Sequence, residues 1–473
     1  MAETLSMAQL DRRTFLANAS VLAAGFGGLR AAAAQGLLQP SRAQMGYGSL
    51  IADSKMIMDL PPGFSYSIIS RWGDKMSDGL TVPGCHDGMA AFSGRDGKTI
   101  LIRNHEIGID SPANYGAFGA DLERLPTLDT SLFFDAGRKG KPVLGGTTTV
   151  VYDTQKGEVL NEFLSLAGTG RNCAGGTTPW GTWLTCEEWT QRADTNCDQD
   201  HGWVFEVPCT EEPMIHRPVA LTGLGRFNHE AVAIDPSSGC LYQTEDRDDG
   251  VIYRFVPNTP GKLEAGGRLQ ALVITNTPSA DVRNWINPAT QTAPYPQGAV
   301  LNTHWIDLEE IDSPNDDLRY RAAQAGAAVF ARGEGMWAGT DSIFFACTTG
   351  GVDRQGQIWR YRPSAHEGTE LESKNPGQLE LFIESRNNGV MRNCDNLTVA
   401  PWGDLFVSED SPMNDGIVRI QPDGTVERFG LHRGGYDEIC GICFSPDGST
   451  LFANIQQAGL TLAITGPWLL KQS

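Results

Sequence analysis

Residues 230–246 read EAVAIDPSSGCLYQTED, and after a polar turn residues 250–257 read GVIYRFVP. Apolar and polar residues alternate on either side of Asp235-Pro236-Ser237-Ser238-Gly239, which is the pattern of strand, tight turn, strand, followed by a second turn and a third strand. The same grammar returns from Asp395 (DNLTVAPWGDLFVSED, then GIVRIQPDG), from Glu334 (EGMWAGTDSIFFACTTGG, then GQIWRYRP) and from Cys173 (CAGGTTPWGTWLTCEEW, then HGWVFEVP). Weaker copies start at Asp87 (DGMAAFSGRDGKTILIRNHE, later TTTVVYD) and at Cys440 (CGICFSPDGSTLFANIQQAG). One such meander cannot bury both its faces, so repeated copies must stack. Six copies predict an all-β fold, a six-bladed β-propeller with inter-blade insertions. Two smaller β-domains in tandem are the alternative. The largest insertion spans about 258–328, with a helix-compatible stretch at 317–330, and residues 63–72 (GFSYSIISRW) are placed to pair with the last copy and close the ring.

Composition agrees with many short strands. Of 473 residues 55 are Gly and 26 Pro, and only 20% are charged. The formal charge of −20, spread along the chain, excludes nucleic acid and anionic membrane surfaces as natural partners. Residues 1–35 read as a twin-arginine export signal: Arg12 and Arg13 precede Thr14, Phe15 and Leu16, then a weakly apolar run and Ala31 to Ala34. Residues 36–473 are then the single propeller domain, carried to the periplasm or secreted by the twin-arginine machinery. No later apolar run is long enough to span a bilayer. The ten cysteines are scattered, and only Cys440 and Cys443 form a C-x-x-C pair, whose members point to opposite faces if they lie on a strand.

In a propeller the first strand of each blade lines the axis, so the residues starting each copy converge there. Those residues are Asp87, Cys173, Glu230, Glu334, Asp395 and Cys440. Charged and thiol groups gathered on one axis repel and desolvate one another unless cations sit among them. Glu187 and Glu188, Glu245 and Asp246, and Glu409 and Asp410 follow at the end of the second strand, with Glu106 in the first copy at a longer interval. Antiparallel pairing returns them to the same end. Carboxylates suit calcium, and a thiolate among them suits iron or zinc, so a mixed site is expected. Asp194, Asn196, Asp198 and Asp200 form a weaker calcium-loop pattern that lacks the distal Glu. His105 and His229 are expected to orient their acidic neighbours.

The stretches NCAGGTTPWGTWLTCEEW, FNHEAVAID, RGEGMWA and CDNLTVAPWGDLFVSED, together with the twin-arginine start, resemble the PhoX-type alkaline phosphatases from about residue 60 to 465. The resemblance implies a six-bladed propeller carrying ferric ions (Fe3+) and calcium ions (Ca2+), hydrolysing phosphate esters in the periplasm. It implies that Asn172 and Cys173 serve the cluster and that Cys173, Glu230 and Glu334 hold iron. Glu187, Glu188, Asp395 and Asn396 would hold calcium, Asp87 would join the metal set, and Arg332 would bind the substrate phosphate. The expected partner is a small phosphate ester and the expected state a monomer. A calcium-dependent propeller lactonase or esterase remains an alternative, as does a non-catalytic propeller whose metals staple the blades. The last predicts that Arg332 does not face the cluster.

Overall fold

Strands dominate the chain because its apolar residues recur every second position between turns rich in Gly, Pro and Asp. The computed structural model describes residues 46–468 except Lys139, Thr195, 288–292, Asn388, Met413 and Tyr436, so the export segment read at residues 1–35 lies outside the described residues. Residues from Gly48 onward form one compact unit. After β1 (Ser65–Arg71) the chain lays down β2 (His86–Ser93), β3 (Thr99–His105), β4 (Gly145–Asp153) and β5 (Glu158–Thr169) as one antiparallel meander. A three-stranded meander follows, β6 (Asn172–Thr177), β7 (Thr182–Glu187) and β8 (Val204–Pro208). Next come β9 (His229–Ile234), β10 (Leu241–Glu245), β11 (Tyr253–Pro257) and β12 (Gly267–Ile274), and after an insertion β14 (Gly333–Ala338), β15 (Ile343–Cys347), β16 (Gln357–Arg362) and β17 (Gln378–Glu384). The chain ends with β18 (Cys394–Val399), β19 (Leu405–Glu409), β20 (Gly416–Ile420) and β21 (Val426–Leu431), then β22 (Ile439–Phe444), β23 (Thr450–Ile455) and β24 (Leu460–Thr465).

The strands that open the meanders, β2, β6, β9, β14, β18 and β22, each touch the next, and β22 touches β2, so they close a ring. The fold is an all-β propeller rather than two β-domains in tandem. β1 pairs antiparallel with β24 from Ser65 opposite Thr465 to Arg71 opposite Leu460, which is the closure expected of residues 63–72. Counting inner strands gives six units, whereas counting hydrogen-bonded sheets gives five. The difference arises because β13 (Val300–Asp307), from the large insertion, pairs with β12 on one side and β17 on the other and fuses two meanders into a nine-stranded sheet. The same insertion carries α1 (Leu318–Gln324), shorter than the stretch 317–330 expected from sequence. Gly326, at φ +116°, ends it, and Ala328 and Phe330 then donate to Leu272 and Gly250 as extended chain. Among the described residues no helix is long and apolar enough to cross a membrane.

Apolar side chains pack between neighbouring sheets, and Trp337 on β14 meets the apolar clusters of three different parts of the ring. With Met89, Gly175 and Leu397 it lines a small cavity between the inner strands. Inner strands approach one another very closely. A Cβ on Gly335 would lie 2.6 Å from the Asn396 Cα, and one on Gly88 would lie 2.5 Å from the Ala174 Cα. Only glycine permits that spacing. It is this close approach that brings the ends of the inner strands within reach of one another.

Candidate metal centre

Asp87, Cys173, Glu230, Glu334, Asp395 and Cys440 are each the second residue of an inner strand. Beside five of the six inner strands the register slips just there, between His86 and Met89, Asn172 and Gly175, Gly333 and Met336, Cys394 and Leu397, and Cys440 and Cys443; beside β9 the slip falls on the partner strand, between Gln243 and Glu245. A bulge adds twist and re-aims the side chain beside it. All six are buried, at one end of the ring. Cys443, the other half of the C-x-x-C pair, lies instead in an apolar cluster with Met89 and Phe452. All ten cysteines are free thiols.

A second tier comes from the residue directly after each second strand: Glu106, Glu188, Asp246, Thr348, Asp410 and Gln456. The residue before each of these points the other way, as side chains alternate along an extended strand. His105 bonds to the Gly84 carbonyl and to Thr148, Glu245 accepts from Tyr253 at 2.8 Å, and Glu409 accepts from the Arg392 amide at 2.7 Å. Glu187 belongs to this outward set. Its Oε1 accepts from the Gly170 amide at 2.8 Å and lies 2.6 Å from His201 Nδ1, while its Oε2 accepts from the Gly202 and Trp203 amides. Asn172 lies directly opposite Glu187 and shares its face, with its amide bonded to Thr169 and Thr185. Of the predicted residues, then, Asp87, Cys173, Glu188, Glu230, Glu334 and Asp395 converge, and Asn172 and Glu187 do not. Asn396 sits beside the cluster, its Nδ2 3.3 Å from Asp395 Oδ1 and its side-chain Oδ1 accepting from the Gly441 amide at 2.8 Å.

The third tier is the residue just before each inner strand: Cys85, Arg171, Asn228, Arg332, Asn393 and Glu438. Cys85, Arg171, Arg332 and Asn393 all hold left-handed backbone, with φ between 43° and 50°. That conformation is costly for such residues and concentrates at functional sites. Arg332 faces the cluster. Its Nε is 2.8 Å from Asp246 Oδ1, and its Nη2 is 3.1 Å from Asp246 Oδ2 and 2.9 Å from Glu334 Oε1. Arg171 holds Glu106 through Nε at 2.9 Å and through Nη2, and Glu188 Oε2 at 2.7 Å. The sequence reading missed Arg171, Asn228 and Glu438. Their signal was position: Arg171 stands two residues before Cys173 as Arg332 stands two before Glu334.

Ligand atoms fall within 4.8 Å of one another in four linked trios: Asp87–Glu438–Cys440, Asp87–Glu106–Cys173, Cys173–Glu188–Glu230 and Glu230–Glu334–Asp395. With Asp246 and Asp410 the three tiers hold nine carboxylates against the two guanidiniums of Arg171 and Arg332. Burial, reinforced by neighbouring carboxylates, pushes Asp87, Glu188, Glu230, Glu334 and Glu438 well above the usual carboxylate range and Asp395 up to about 7. Burial and the same neighbours push the Cys173 and Cys440 thiols up as well. Protein donors do not satisfy this set. Gln456 Nε2 lies 3.1, 2.9 and 2.9 Å from Asp87, Glu106 and Glu438, yet one amide has only two N–H groups. Both oxygens of Glu230 and Oδ2 of Asp395 are buried without a hydrogen-bond partner, the Cys173 thiol being the group beside Glu230. Orphaned acceptors in such numbers fit multivalent cations, and a donor set of thiols among carboxylates fits a mixture of thiol-preferring and oxygen-preferring ions.

The acidic loop at 194–200 is differently employed. Asp194 accepts from the Asn196 and Cys197 amides, Asp198 pairs with Arg138, and Asp200 pairs with Arg192 and the Ala193 amide. A further buried trio, Asp135, Cys197 and His201, lies beside it, but both oxygens of Asp135 already accept backbone amides, Oδ1 from Gly137 and Oδ2 from Asp198 and Gln199.

An all-β propeller with carboxylates and thiols gathered at one end of its axis presents groups that could hold cations beside a part-exposed guanidinium. The chain belongs to the family described as alkaline phosphatase PhoX, whose model matches residues 45–151 and 138–459, and it is a phosphoric ester hydrolase. Among solved structures it is similar to Pseudomonas fluorescens PhoX in complex with vanadate, a transition state analogue, with a TM-score of 0.64, 19% identity, and coverage of 90% of this chain and 98% of that one. It also matches the Xanthomonas campestris gluconolactonase XC5397 with a TM-score of 0.40, 11% identity, and coverage of 90% and 99%. No curated protein sequence matches.

Proposed function

We propose that the chain hydrolyses phosphate esters at the axial cluster, with Fe3+ and Ca2+ as its cofactors. The observation that carries this reading is the place of Arg332, whose fork touches Glu334 and Asp246 at the open rim of the only axial ring of buried acids among the described residues. Cys173, Glu230 and Glu334 would hold iron, and Glu188, Asp395 and Asp87, with Glu106 and Glu438, would hold calcium. Bound there, the cations would supply neutralisation of phosphoryl oxygens and activation of the attacking oxygen. The protein's own contribution is orientation. Asp246 and Glu334 hold Arg332 through Nε and Nη2, so Nη1 is the group left to meet a phosphoryl oxygen, and those carboxylates with the left-handed backbone fix its direction before substrate arrives. That a similar protein from Pseudomonas fluorescens was solved in complex with vanadate, a transition state analogue, supports the same use of this fold.

We further propose export of the folded chain by the twin-arginine route to the periplasm or outside the cell, action as a monomer, and a domain that starts after residue 35. The deciding experiment is elemental analysis of purified native protein beside hydrolysis of p-nitrophenyl phosphate at alkaline pH, with and without a calcium chelator. Iron and calcium together with chelator-sensitive turnover are expected. Zinc alone, no metal, or no hydrolysis would defeat the reading.

A further inference from the structure

We propose that Arg171 is a second anion-binding arm of this site, so that the favoured substrate is a phosphate ester whose alcohol part carries another anionic group. The inference rests on the phosphate-ester reading above and deepens it. Arg171 and Arg332 hold equivalent places on the ring, one intervening blade apart. Each stands directly before an inner strand, with φ +46° and +50°. Each sends Nε and Nη2 to the second-tier carboxylate of the preceding blade, Arg171 to Glu106 and Arg332 to Asp246, and each adds one more carboxylate, Glu188 or Glu334. Their side chains remain 42% and 32% exposed, in contrast to the buried acids below them.

The two forks also share one rim. Glu188 takes Arg171 on one oxygen and the Asn228 amide, at 2.8 Å, on the other; Asn228 Nδ2 lies 3.3 Å from the carbonyl oxygen of Asp246, whose carboxylate holds Arg332. The other positions of this tier carry Cys85, Asn228, Asn393 and Glu438, so the positive charge is confined to one arc of an otherwise negative opening. One guanidinium suffices for one phosphoryl group. Two, separated by a blade and both reachable from solvent, suit a ligand with two separate anionic groups, either a phosphate with a carboxylate or a bisphosphate.

The test compares kcat/KM for wild type, R171Q and R171K on two matched pairs: glycerol 3-phosphate with 3-phosphoglycerate, and fructose 6-phosphate with fructose 1,6-bisphosphate. Arg171→Gln should lower all four values, but the more highly charged member of at least one pair about tenfold more than its partner, chiefly through KM, with Arg171→Lys between. The pair showing the excess identifies the second group as carboxylate or phosphate. An equal loss within both pairs overturns the proposal and leaves Arg171 as a strut for Glu106 and Glu188, as does a loss that follows iron and calcium content in both variants. If wild type hydrolyses none of the four, nor p-nitrophenyl phosphate, the phosphate-ester reading itself falls, and this proposal with it.

Discussion

Replacing Glu230 by Met should make the metal-depleted protein more stable and the metal-loaded protein less so. Glu230 is wholly buried, and burial followed by the charges of Glu188, Asp395 and Asp87 drives its carboxyl upward. Neither oxygen has a hydrogen-bond partner, and leaving a buried acceptor unsatisfied costs about 1–3 kcal/mol. An apolar side chain of similar length removes that cost and the repulsion, and such exchanges of buried charge stabilise by about 1–4 kcal/mol. With cations present the sign turns over, because a ligand shared by two trios is gone. An ion at a hundred times its dissociation constant contributes about 2.7 kcal/mol, so losing one from each trio, about 5.4 kcal/mol together, outweighs the gain. Urea unfolding of both proteins, with and without chelator, reads both signs, and elemental analysis reads the metal. A variant that unfolds at lower urea than wild type after metal depletion would refute the account of this ring as cation-dependent. So would undiminished stabilisation of the variant by iron and calcium.

Cys173→Ala should empty the protein of iron while preserving its β signal in circular dichroism, and unchanged iron content would remove the thiol from the centre. Arg332→Gln should lower kcat/KM for p-nitrophenyl phosphate about a hundredfold through loss of charged hydrogen bonds, without lowering metal content, whereas a loss below twofold would mean that the fork does not reach substrate. Gly335→Ala forces a Cβ to 2.6 Å from the Asn396 Cα and 2.9 Å from the Asp395 carbonyl, so the two strands must part at a cost of about 1–3 kcal/mol, while Gly108→Ala, whose nearest neighbour is Ser111 Oγ at 3.8 Å, should be neutral in the same thermal scan. For His201, burial opposes the imidazolium, but the Glu187 and Asp135 carboxylates outweigh it and lift the ring to about 9. A folded value above the unfolded one, about 6.5, means that its stabilisation is full below that pH and is lost as pH rises through 9. His201→Gln should flatten that part of the profile of urea midpoint against pH, and parallel profiles would sink the assignment.

The repeat and the ring residues were legible because each blade reuses one pattern of apolar alternation and because acids and thiols have no packing reason to start a strand. Asp87, Glu230 and Asp395 could be read from register alone. Register failed at the strand ends. In Glu187-Glu188 the sequence shows two equal carboxylates, and only the pleat, together with His201 arriving from a loop fourteen residues on, decides that the first is consumed outside the axis. Arg171 was hidden for a related reason, since its role depends on a left-handed turn before β6 that nothing in the residue type announces. The pairing of β13 with two meanders was likewise invisible, because it is settled by where a long insertion lands.

β1 precedes every inner strand in the chain, and β24, against which it seals the ring, follows them all. Until β22 to β24 are all in place, β1 has no partner, the sixth inner strand is missing, and Asp87 stands without Glu438 and Cys440. The trio of Asp87, Glu438 and Cys440 can therefore take up a cation only after these late strands have folded, and the ions present at that point decide what it receives.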